Sequence, residues 1–75
     1  MPMPLENLRT FSHIHPGAEI TKIDHANNSI FFTEQHRQWV MVFLGTAIAG
    51  VWDMTGVGRE DWEERAQDQQ EAVGF

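Results

Sequence analysis

Four histidines are the residues of this sequence best suited to chemistry. His13 and His15 stand at i and i+2, which puts both on one side of an extended segment. Joined by His25 or His36, they could hold zinc or a pigment metal. Zinc sites, however, usually carry Cys and His at spacings that this chain lacks. There is no cysteine in 75 residues, so neither a thiolate site nor a disulfide framework is available. His36 is the best single candidate for a cofactor ligand, because it stands at the edge of a long apolar stretch. Its plainer role is that of an interfacial polar residue. Ser12, His13 and Asp24 make a triad on paper, with no nucleophile elbow or oxyanion loop around them. The acids from Glu60 to Glu64 read as a solvated face, and EF-hand spacing is absent. The glycines are too scattered to cradle a phosphate. These residues point away from an enzyme. No small-molecule substrate, metal or cofactor of its own is expected.

The element that would position His36 is the stretch from Trp39 to Trp52, which contains no charged residue. Its one polar side chain, Thr46, can bond back to a helix carbonyl. As a helix the stretch is apolar all round, whereas a surface helix has a charged face. A chain this short has little protein in which to bury such a helix. Lipid or a partner is the better solvent. The run is short for a bilayer span, which needs about 20 residues. It lengthens if Asp53 is tolerated near one interface and Gln35 to Gln38 reach the other.

As a helix, Gly45, Ala49, Asp53 and Gly56 share a face, flanked by Thr46 and Gly50. Gly45-x-x-x-Ala49 and Thr46-x-x-x-Gly50 are small-xxx-small patterns that let helix backbones approach closely. The bulkier face, Val40, Phe43, Ala47, Val51 and Met54, would meet lipid. Trp39, Trp52 and Trp62, with Phe31 and Phe32, suit anchoring at a membrane interface. Thr33 is the expected N-cap and Glu34 the first-turn acid.

The flanks are more polar. Pro4 to Phe11 can form helical turns with Leu5, Leu8 and Phe11 on one side. Glu19 to His25 and Ser29 to Thr33 are β-prone runs joined by Ala26-Asn27-Asn28, which is turn chemistry, so a hairpin is expected. Gly56-Val57-Gly58 breaks the chain before a second, acidic helix over Arg59 to Val73, with Trp62 as its aromatic anchor.

A net charge of −6 argues against nucleic acid and against attachment to anionic lipid by charge. Met1-Pro-Met-Pro followed by Leu5-Glu-Asn-Leu-Arg lacks the features of a secretory signal, so a spanning helix would insert uncleaved. Basic residues tie on the two sides, and Arg9 favours a cytoplasmic N-terminus.

Glu34-x-His36 before an apolar helix with Ala47-Ile-Ala49 resembles the β polypeptides of purple-bacterial antenna complexes. The resemblance implies a pigment-binding membrane helix. It stops where that family carries its ligating histidine, because the corresponding position falls near Asp53 and Met54. The family's Trp-Pro tail is missing too. Membership does not follow, and no ligand is carried over.

The expected fold is therefore mainly all-α, with a single transmembrane helix over residues 34–56. An N-terminal extramembrane segment, 1–33, contributes a loop and short hairpin, and an acidic extramembrane helix occupies 57–75. The expected role is that of a single-pass accessory subunit with a structural part in assembling a larger membrane complex. By analogy that complex is an energy-converting one, in photosynthesis or respiratory electron transport. Its partners would be larger integral membrane subunits and lipid, with pigment or lipid held by those partners in contact. The alternative is a soluble helical interaction module that homo-oligomerises through its apolar helix.

Overall fold

In the computed structural model, residues 2–74 are described. The chain runs α1 (Leu5–Ile14), β1 (Glu19–Asp24), β2 (Ser29–Glu34), β3 (Arg37–Leu44), β4 (Ala47–Asp53), a 3-10 turn (Arg59–Asp61) and α2 (Trp62–Val73). The strands form one antiparallel sheet in the order β1-β2-β3-β4.

Each connection has a local cause. Pro4 caps α1, where its fixed φ costs nothing. The His15 amide closes the helix on the Phe11 carbonyl at 2.8 Å, and Pro16-Gly17 turns the chain. In the β1–β2 turn, Asp24 accepts from the Asn27 backbone amide at 3.2 Å, and Asn28 takes a left-handed φ of 51°. Asn tolerates that conformation better than most residues. Gln35 and His36 both have positive φ, as the tightest two-residue hairpins require. Gly45, at φ +61°, begins the two-residue turn Gly45-Thr46 between Leu44 and Ala47. A glycine in first position is the signature of a type II′ turn.

The sheet is covered on both faces. On one face Met3 and Phe11 pack with Ile30, Phe32, Met41 and Phe43, beneath α1. On the other, Trp62 and Ala66 of α2 pack with Phe31, Val40, Val42 and Met54. Trp62 stacks on Phe31 with ring centroids 5.0 Å apart. Each such side chain contributes about 1.5–3 kcal/mol on burial, so α2 is held by its core contacts and not only by its solvated acids.

This architecture corrects the all-α expectation. Trp39 to Trp52 is not a helix but β3, a turn and β4. Among the described residues no helix is long and apolar enough to cross a membrane. The transmembrane span over 34–56 falls, and with it the single-pass membrane location with a cytoplasmic N-terminus. The accessory role in a photosynthetic or electron-transport complex has no spanning element to carry it. Pairing through an apolar helix falls as well.

The reason lies in β3. Val40 and Val42 face α2 while Met41 and Phe43 face α1, so successive residues are all buried. A strand covered on both sides reads as a continuous apolar run, as a buried helix does. The division at 33/34 also passes through β2.

Candidate functional site

The two outer strands of the sheet are built differently, and β4 offers the more open surface. It starts from the Gly45-Thr46 turn and is kept extended by Ile48, Val51 and Trp52, residue types that suit a pleated surface. It stops at Asp53. The Thr55 amide donates to that carboxylate at 2.8 Å, and Gly56, at φ +88°, turns the chain away. Met54 is buried and pins the strand end in the α2 core.

The register defines the two sides of β4. Trp39 pairs with Asp53, Met41 with Val51, and Phe43 with Ile48 after an irregularity at Ala49. Asp53, Val51 and Ile48 therefore share the α1 side of the sheet. Ile48 is 38% exposed and Val51 41%, so α1 leaves this margin open. On the α2 side the Trp52 ring folds back over Gly50, where a Cβ would come within 2.6 Å of it. The Met54 amide donates to the Gln38 carbonyl at 2.7 Å. By the alternation of an antiparallel ladder, Trp52 and Gly50 then bond inward to β3. Val51 and Asp53 direct their amides and carbonyls outward.

No charge lies on β4 before its last residue. That residue, Asp53, is paired with Arg37 at 2.9 Å. The Thr55 hydrogen bonds, and after them the Arg37 guanidinium, hold the Asp53 carboxyl below the usual carboxylate range.

β1 is guarded. Thr21 is an extra residue against β2, and the Arg59 guanidinium donates to its carbonyl at 3.1 Å while lying 5.1 Å from the centre of the Trp62 ring. Lys22 reaches Glu63 at 2.7 Å. That hydrogen bond and the charge behind it hold the Glu63 carboxyl low.

A polar depression lies at the other end of the sheet, lined by Gly17, Glu19, Thr33, Glu34, Gln35 and His36. Next to it His15 Nδ1 meets Glu34 at 3.0 Å, and the His15 ring lies against Phe11 and Phe32. This carboxylate-oriented imidazole has the form of a positioned base. Among the described residues no hydroxyl hydrogen-bonds to it, and no group of three or more His, Asp or Glu is placed to hold a metal ion.

The residues singled out in the sequence are distributed as follows. His36 is exposed in the β2–β3 turn, on the rim of that depression. Ser12 and His13 are exposed on α1, while Asp24 is buried at the end of β1 with Asn27 on its carboxylate, so the paper triad is not assembled. His25 accepts the Met3 amide on Nδ1 at 2.8 Å. Gly45, Thr46, Ala49, Gly50, Asp53 and Gly56 share no helix face, because they lie along a turn, β4 and the turn after it. Phe31, Phe32 and Trp62 are core residues, and Trp39 and Trp52 are partly buried beside them. Placement at a membrane interface is thus replaced by placement in the two cores.

The margin of β4 was not recognisable as a strand edge from composition. One signal did exist. Turns at residues 25–28, 35–36, 45–46 and 55–56 recur at the 8–12-residue spacing of an antiparallel meander. Compared with known protein families, curated proteins and solved structures, the chain matches none of them.

Proposed function

We propose that this protein is a non-catalytic binding module whose recognition surface is the outer edge of β4, taking up an extended strand of another polypeptide. The observation that carries the reading is the contrast in chemistry at the sheet margins. β4 offers outward backbone groups beside exposed Ile48 and Val51, with no charge before a neutralised Asp53. An apolar edge with no charge across it is a template for further pairing. Although Ala49 is an extra residue against β3, Gly50 to Asp53 keep a regular ladder. Strand addition uses main-chain hydrogen bonds for affinity and alternate side chains for selectivity. Here the alternate side chains would meet Ile48 and Val51.

The test is titration of isotope-labelled protein, at low concentration, with a synthetic peptide of alternating Val and Thr carrying Lys at both ends. Shifts and slowed hydrogen exchange at the Val51 and Asp53 amides, with Lys22 unmoved, are the expected result. A peptide that leaves β4 silent overturns the reading.

A further inference from the structure

Resting on that reading, we infer that the strand received by β4 is β4 of a second copy of this chain. The two would run antiparallel about a two-fold axis at Val51, joining two sheets into one. Three observations select this occupant. The first is charge. A chain of net charge −6 repels its own copies wherever acids meet, but β4 brings an uncharged strand to an uncharged strand. Its single carboxylate, Asp53, is already paired with Arg37 at 2.9 Å.

The second is register. Val51 directs its backbone groups outward, so a two-fold axis there makes Val51 a hydrogen-bonded partner of its own copy. Asp53 then falls opposite Ala49 of the other copy, and the two carboxylates are kept apart. The exposed Ile48 and Val51 side chains of both copies join into one apolar row on the α1 side. This is the self-complementarity that an isologous contact requires.

The third is closure. The other margin of the sheet is occupied, with Arg59 on the Thr21 carbonyl and Lys22 tied to Glu63. A β4-to-β1 contact, which would propagate into filaments, is blocked. Growth stops at two copies.

The test combines light scattering after size exclusion with hydrogen exchange over a range of protein concentrations, on the wild-type chain and on Val51→Lys and Ile48→Lys. Circular dichroism checks that each variant is folded. The expected result is a wild-type mass of twice the chain. The Val51 and Asp53 amides become protected as concentration rises, and both variants return to the mass of one chain. Because exchange is read on the wild type, the outcome stands even if a variant fails to fold. A dimer whose β4 amides exchange freely, or one that survives both substitutions in folded form, overturns the proposal. A monomer at every concentration also overturns it. If the Val-Thr peptide still protects β4 in that monomer, strand docking stands and only the second copy is lost. If the peptide has no effect either, both fail.

Discussion

The sheet ends in two strands that face the same physical problem, an unpaired row of backbone groups, and meet it differently. On β1 an extra residue at Thr21 disturbs the ladder. Arg59 reaches the Thr21 carbonyl from above the Trp62 ring, and Lys22 crosses to Glu63. Arg59 and Glu63, the groups that reach β1, come from the segment that leads into and starts α2. On β4 the irregularity at Ala49 is present too, but among the described residues no cation pairs with the strand before Asp53. Bulges and lysines are the common means by which an edge is made unattractive to other strands. β1 uses both, while β4 has the irregularity without the cation. Ile20 on β1 is as exposed as Ile48, so the cations and not apolar exposure separate the two margins. The lesson is that guarding here is asymmetric, and that it depends on how α2 is docked.

That dependence gives the largest expected effect. Trp62→Ala removes the ring stacked on Phe31 and the platform beneath Arg59. It should cost about 3–5 kcal/mol, read as a lower urea midpoint. At concentrations low enough for the monomer, amide exchange along β1 should rise toward that of β4, which would abolish the contrast between the edges. If β1 stays protected while stability falls, its guarding does not depend on α2.

Gly45→Ala attacks the other margin. The left-handed backbone at φ +61° costs a non-glycine residue about 1–2 kcal/mol. The melting temperature should fall accordingly, with the first effect on exchange in β4. A substitution without cost would mean that the turn is not held in this conformation.

Arg59→Ala sharpens the comparison at small cost. The residue is exposed, and its contact with the Trp62 ring contributes about 0.5–1 kcal/mol. Stability should barely move. Static light scattering should nevertheless rise with concentration beyond the dimer, because the β1 margins left at its two ends are then open to strands of other copies. Unchanged scattering would show that Lys22 and the extra residue at Thr21 suffice.

The smallest effect is a pH dependence with one carboxylate at each margin. Asp53 and Glu63 are both held below their ordinary values, by Thr55 and Arg37 and by Lys22 respectively. A carboxyl lowered in the folded state contributes stability above its unfolded pKa and loses it as pH falls through the folded one. Asp53→Asn and Glu63→Gln should each flatten the acid side of the stability profile, by comparable small amounts. Acid slopes identical to the wild type would remove both pairs from the account.

Parts of the fold are legible in the chain. Pro4 with Leu5, Leu8 and Phe11 marks α1, and Asn27-Asn28 between two β-prone runs marks the first hairpin. The break at Gly56 to Gly58 before an acid-led segment marks α2. These signals are local, because a cap, a turn and a helix dipole act within a few residues. The stretch from Trp39 to Trp52 is different. Its residues are consistent with a strand, a buried helix or a membrane span, and periodicity alone does not separate them. The polar depression near His36 was equally hidden. It exists because the tip of the β2–β3 hairpin meets the connection from α1 to β1, and Gly17 and Glu19 are far in sequence from Glu34 and His36.

The sequence by itself did not determine the turns at Gln35-His36 and Gly45-Thr46. It did determine the turn at Asn27-Asn28, the breaks at Pro16-Gly17 and Gly56 to Gly58, the two helices and the absence of a cysteine framework. Each of these depends on one residue type or on its close neighbours. Only the tertiary structure decided that Val40 to Phe43 is a strand, because its apolar residues alternate between two separate cores, one under α1 and one under α2. It alone decided that Arg59 and Lys22 close one edge while Ile48 and Val51 leave the other open. Burial on two faces erases the alternation that marks a strand, and the guarding of an edge rests on contacts between distant residues that no local pattern records.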